Sequence, residues 1–259
     1  MRSSSAPCAL DQKRRHVIRL ALVFALIGLA GAWLAYMHID QIVVNADKQW
    51  LEHPAWQAAL TLGTWLGNWE LAPLVVVLIC VAARPWWRRL LRTLVVSYLL
   101  STAVVEWLKI LVGRPRPRVV PDATVFEGIG GGHSLPSGHA SFAFMMAVVI
   151  ASWFPRWKWP VWIVAAWVAL SRVLVEAHFV SDAILGAVIG VVAGAVILWF
   201  WPPVTDEARE EIEKQRREDA STTQPESPED IAAERRLALR VLTVVLFSAG
   251  GILAYWFID

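Results

Sequence analysis

Cysteine is scarce. Cys8 lies in the N-terminal tail and Cys80 inside an apolar run, and these are the two cysteines in 259 residues. A disulfide framework and a zinc-binding spacing are thereby excluded. Charge is also thin: charged residues make up 18% of the chain against 57% hydrophobic, and mean hydropathy is +0.49. A soluble domain of this length is far less apolar. The net charge of +2 says little by itself; the placement of the charges says more. A clean small-residue cleavage site is missing after the first apolar run, about 17–37. That run is also too long for a signal-peptide core, so it reads as a retained span despite the basic residues before it.

What the chain does have is long apolar runs, many near the roughly 20 residues needed to cross a hydrocarbon core of about 30 Å. Seven candidate spans follow, at about 17–37, 66–83, 90–111, 139–154, 160–175, 182–201 and 239–258. Lipid offers backbone polar groups no partner, so each span is expected to be a helix and the fold class is all-α, a polytopic membrane helix bundle. With the N-terminus inside, 18 of the 24 Lys and Arg residues fall on the inner side. This bias predicts a cytoplasmic N-terminus and, with seven spans, an outer C-terminus. The outer side keeps Lys48, Lys109, Arg114, Arg116, Arg118 and Arg172.

The outer loop 40–65 carries Trp50, Trp56 and Trp65 and is expected to hold an interfacial helix. Residues 205–236 are polar and read as a cytoplasmic helix plus flexible linker. "LAYMHID" (34–40) and "LAYWFID" (253–259) echo each other, a match that short apolar segments make easily by chance. Gly186, Gly190 and Gly194 share a helix face, the small-residue stripe that permits close helix packing.

Three polar patches break this apolar pattern. In "KILVGRPRP", Lys109 closes the third span, while Pro115 and Pro117 stop the helix and put Arg116 on an irregular segment. Pro136-Ser137-Gly138-His139 opens the fourth span. There Ser137 is the expected N-cap, the helix N-terminus is an anion site, and Gly138 lets the backbone approach a ligand. "SRVLVEAHFVSD" holds Arg172, His178 and Asp182. On a helix, His178 and Asp182 share a face, so the carboxylate can orient the imidazole. Two spans separate the connections carrying these patches, so both emerge on one side of the membrane. Cations and N–H groups beside two histidines suit attack on a phosphoryl group. One histidine can attack phosphorus while the other protonates the leaving oxygen. The single well-placed carboxylate argues against a metal cluster.

Lys109-x6-Arg116-Pro117, Pro136-Ser137-Gly138-His139 and Ser171-Arg172-x5-His178-x3-Asp182 together resemble the three-part signature of the type 2 phosphatidic acid phosphatase (PAP2) family, over roughly 66–201. The resemblance implies a six-span core (17–201) that needs neither metal nor cofactor. It implies His178 as nucleophile, Asp182 as its orienting partner, and His139 as general acid and then base. Lys109, Arg116, Arg172, Ser137 and the Gly138 N–H would bind phosphate. The tail 1–16, the charged linker 202–238 and the additional span 239–259 fall outside that core. The function so implied is a lipid phosphate or diphosphate phosphatase working through a phosphohistidine on the outer, periplasmic face of a bacterial inner membrane. Undecaprenyl diphosphate is the first expected substrate, with phosphatidylglycerophosphate, phosphatidate, lipid A phosphate or lipid phosphotransfer as alternatives. The partner is a membrane lipid, no nucleic acid is expected, and no feature names a protein partner. His16, His38 and His53 read as interfacial trim and His133 as a loop residue. Glu106 reads as a partner of Lys109, and Arg114 and Arg118 either as ordinary surface charge or as contacts to a second phosphate or anionic lipid headgroups.

Overall fold

The computed structural model describes residues 9–67 and 86–203, together with Lys214. The expected span at 66–83 beyond residue 67, the linker beyond residue 203 and the span at 239–258 lie outside the described residues. All described residues in a regular element are helical and none is in a strand.

The first rod begins as α1 (Ala9–Leu34), passes through a π-helical turn at Ala35–Ile39 and ends as α2 (Asp40–Asn45). After a loop comes α3 (Pro54–Leu66), whose start is fixed by His53, which accepts the Ala55 N–H, and by a proline in the first turn. It is the helix expected within 40–65. It lies along α6 (Lys158–Leu174), where the Trp167 indole N–H donates to the Ala59 carbonyl at 3.2 Å. The long α4 (Trp87–Val112) ends at Gly113, whose φ of +59° is the left-handed cap that glycine accepts without strain. Then come α5 (Gly138–Trp153), α6 and α7 (Val180–Phe200).

Among the described residues, three helical stretches are long and apolar enough to cross a membrane: Val17–Asn45, Trp87–Val112 and Val180–Phe200. The helices at the expected spans 139–154 and 160–175 are shorter, with 16 and 17 residues. Burial ranks them. In its most apolar window α7 is 61% buried, whereas the first rod is 6% buried and shows Leu26, Ile27 and Trp33 to its surroundings. α7 is therefore the centre, with α1, α4 and α5 packed around it. The glycine stripe explains how α5 comes so close. A Cβ added at Gly186 would lie 2.3 Å from the Ser137 carbonyl oxygen, and one at Gly190 would lie 2.1 Å from that of Ser141. Backbone meets backbone there, as small-residue stripes allow.

Candidate active site

The residues between α4 and α5 form a loop folded back on its own start. The Glu127 N–H donates to the Gly113 carbonyl at 2.8 Å, and the Ser134 N–H donates to the Arg114 carbonyl at 2.8 Å. A side chain at Gly113 has no room, since its Cβ would sit 1.7 Å from the Gly128 oxygen. This fold-back sends Arg114 and Arg116 in different directions. Arg116 is half-buried and lines a cavity; Arg114 is 1% exposed and points into the protein.

The second patch builds the start of α5. Ser137 is the N-cap, and its hydroxyl accepts the Ala140 N–H at 3.4 Å. Its own N–H donates to the Asp182 carbonyl at 3.0 Å, tying this turn to the head of α7. His139 then lies in the first turn of α5 and lines the same cavity as Arg116.

The third patch differs locally from the helix expected across it. α6 stops at Leu174 and α7 starts at Val180, so His178 and Asp182 do not share one helix. The turn between them passes through Glu176 at φ +57°, a region uncommon for a side-chain-bearing residue. The Ala177 and His178 N–H groups both close onto the Arg172 carbonyl, at 3.1 and 3.2 Å. Asp182 turns back to accept the Phe179 N–H at 3.0 Å, as a carboxylate in a helix's first turn does. The imidazole of His178 is instead held by the backbone of the second patch, with Nδ1 2.7 Å from the Ser134 carbonyl oxygen and 3.9 Å from Asp182 Oδ2. Asp182 reaches His178 indirectly, by accepting the Ser134 hydroxyl at 2.5 Å. A carbonyl only accepts, so Nδ1 carries the proton of the neutral ring and Nε2 keeps a free lone pair.

The three patches converge on one cavity of about 240 Å³. Lys109, Arg116, Gly138, His139, Arg172 and His178 all line it; Ser137 and Asp182 stand behind it. Arg172 donates from one terminal nitrogen to Thr64 Oγ1 at 3.1 Å, while its buried Nε has no hydrogen-bond partner among the described residues. A guanidinium with an unused buried donor, beside two further cations, fits an anion. Lys109 meets Glu106 at 2.7 Å, the pairing expected from their spacing. Burial, and after it the charge of Arg172, hold the His178 pKa well below 6.5. Its ring is therefore neutral and nucleophilic at neutral pH. Burial and then Arg118 lower the Arg116 pKa as well.

Several contributors were not legible in the sequence. Thr64 and Gly67, at the end of α3, reach the site: one holds Arg172, and the other sits where a Cβ would be 3.1 Å from the His139 ring. Ser101 and Ser141 share a buried 2.6 Å hydrogen bond at the cavity wall, between Tyr98 and Phe142. Arg114, expected as surface charge or as a second-phosphate or headgroup contact, is instead buried against Asp40 and Asp182. Their signal was faint, because a lone hydroxyl or carboxylate beside an apolar run resembles interfacial trim. Arg118, His38, His53 and His133 are exposed and do not line the cavity.

Two histidines and three cations around one cavity, among helices alone in the described residues, give a site with the chemistry to hold a phosphate-like anion. Residues 90–206 match the model of the PAP2 superfamily. The chain is 35% identical over 104 residues to the lipid A 1-phosphatase of Rhizobium etli, covering 36% of this chain and 45% of that protein. It is 33% identical over 100 residues to the undecaprenyl-diphosphatase of Sulfolobus acidocaldarius, covering 38% and 48%. The chain thus spans about half the length of the curated relatives it matches. The crystal structure of Aquifex aeolicus LpxE superposes with a TM-score of 0.50 at 23% identity, over 62% of this chain and 93% of that one. That likeness concerns the fold alone.

Proposed function

We propose that this protein is a membrane lipid phosphatase that works through a phosphohistidine. The observation that carries the reading is the convergence of His139, His178, Lys109, Arg116 and Arg172 on one cavity, with the His178 Nδ1 proton engaged by a carbonyl. His178 Nε2 attacks phosphorus, and the P–N bond forms as the P–O bond to the lipid breaks. The leaving oxygen takes the electron pair and a proton from His139. His139 then accepts a proton from water, whose oxygen attacks the phosphohistidine. The P–N bond breaks, phosphate leaves and His178 is restored. Lys109, Arg116, Arg172 and the N-terminus of α5 carry the charge on the phosphoryl oxygens. Asp182 acts behind Ser134. The Lys and Arg bias supports placing the site on the periplasmic face of a bacterial inner membrane.

Undecaprenyl diphosphate is the first substrate reading. It is supported by the cations gathered in the loops and by the Sulfolobus relative's name. Lipid A 1-phosphate is the second, supported by the Rhizobium relative's name. The test is phosphate release by the purified protein in detergent with EDTA, across polyprenyl diphosphates, lipid A, phosphatidylglycerophosphate and phosphatidate. Release that persists with EDTA and vanishes in His178→Ala is expected. Loss of release on chelation, or its survival in His178→Ala, defeats the mechanism. Transfer of label to a lipid acceptor instead of water marks the phosphotransfer alternative.

A further inference from the structure

Behind His178 lies a charge cluster that no part of the signature requires for binding phosphate. Asp40, Arg114 and Asp182 are 0%, 1% and 0% exposed. Arg114 forks between the two carboxylates, donating to Asp182 Oδ1 at 2.6 Å and to Asp40 Oδ2 at 3.0 Å. It also donates to Ser181 Oγ at 2.8 Å and to the Ala123 carbonyl at 2.9 Å, and its guanidinium lies 3.8 Å from the centroid of the Phe179 ring. Asp40 in turn accepts the Ser181 N–H at 2.9 Å and the Ser181 hydroxyl. Its neighbour Gln41 clamps the other loop, donating to the Pro121 carbonyl and accepting the Ala123 N–H, each at 3.0 Å. One dipeptide in the last part of the first rod therefore grips both the loop between α4 and α5 and the head of α7.

Stability alone is a poor reason for such a cluster, since buried ion pairs often gain nothing over well-packed apolar side chains. The charge count suggests another. Two carboxylates share one guanidinium, leaving one surplus negative charge, and the carboxylate nearer the site lies 3.9 Å from His178 Nδ1. Without Asp40, Arg114 would neutralise Asp182 outright. The π-helical turn at Ala35–Ile39 immediately precedes Asp40. Such turns change the direction of the residues after them and are common at functional sites.

We propose that Asp40 and Arg114 are positioning residues for phosphoryl transfer. Arg114 anchors Asp182, and Asp40 takes up the guanidinium charge, so that Asp182 keeps its negative charge facing the imidazolium formed when His178 bonds to phosphorus. Neither residue touches the phosphate. This role rests on the phosphatase reading above. The test compares wild type, Asp40→Asn and Arg114→Lys as purified full-length protein, on a lipid phosphate that the wild type hydrolyses, with Tm measured alongside. Asp40→Asn is expected to lower kcat about ten- to a hundredfold, the range for residues that orient a reacting group. KM and inhibition by inorganic phosphate stay unchanged, because the phosphate cradle is intact. Arg114→Lys keeps the buried cation but loses the fork, and is expected to lower kcat about tenfold with KM again unchanged. A folded variant with wild-type kcat, or a rise in KM at constant kcat, overturns the proposal. So does loss of the fold in both variants, the mark of a purely structural cluster. A wild type that releases phosphate from no lipid strikes at the phosphatase reading itself, whereas a wild type that turns over while Asp40→Asn equals it strikes at the positioning role alone.

Discussion

His178 is buried among cations, and its pKa lies well below 6.5 because burial and then Arg172 disfavour the imidazolium. In the unfolded chain the same ring titrates near its ordinary value of about 6.5. Above that pH the ring is neutral in both states and contributes no pH dependence. Below it the unfolded chain binds a proton that the folded protein refuses, so stability falls as pH falls. Thermal melts in detergent are expected to show this. Between about pH 6.5 and pH 5.5 the wild type loses up to about 1 kcal/mol more than His178→Gln, because the unfolded ring goes from half to almost fully protonated over that unit. An equal loss in both proteins would show that His178 is not the group. The histidines, Arg172, Arg116 and Lys109 were legible because the chemistry leaves its mark in short, ordered spacings. The Asp182 linkage was legible only in part: its spacing from His178 suggested a direct contact, but Ser134 stands between them. Asp40 and Arg114 were not legible as a pair. They are 74 residues apart, and neither has a local pattern to announce it.

The elements bring these side chains together, and two glycines control how closely. At Gly190 an added Cβ would sit 2.1 Å from the Ser141 carbonyl oxygen, so Gly190→Ala forces α5 and α7 apart. We expect it to cost about 1–3 kcal/mol, the usual range for overpacking, seen as a lowered Tm in detergent. Because Ser141 also lines the cavity, kcat should fall with it. Gly113→Ala meets both a left-handed φ and a backbone oxygen 1.7 Å from the new Cβ. It should disrupt the loop that carries Arg114 and Arg116, and reduce activity more than Gly190→Ala at equal expression. The stripe on α7 was legible from its four-residue period. The π-helical turn was not, because "AYMHI" continues the apolar run of α1 with no proline or glycine to mark a change in the helix.

At the largest scale, hydrophobic runs carried most of what could be read in advance: among the described residues the regular elements are helices, three of them membrane-length, and the three polar patches meet at one cavity. The sequence could not show which helix lies at the centre. It is burial that ranks them, 61% for the apolar window of α7 against 17% for that of α4 and 6% for the first rod, and burial is set by packing between segments distant in sequence. Topology makes its own prediction. With an inside N-terminus, right-side-out vesicles should hydrolyse an added short-chain lipid phosphate, and sealed inverted vesicles should do so only after detergent. The reverse pattern would contradict the orientation.

The most direct test of the central claim is to quench the purified protein in alkali during turnover of a radiolabelled lipid phosphate and map the label. The account predicts a base-stable, acid-labile phosphohistidine in the wild type at His178, and none in His178→Ala. Phosphate release with no labelled histidine, or label that persists in His178→Ala, would contradict it.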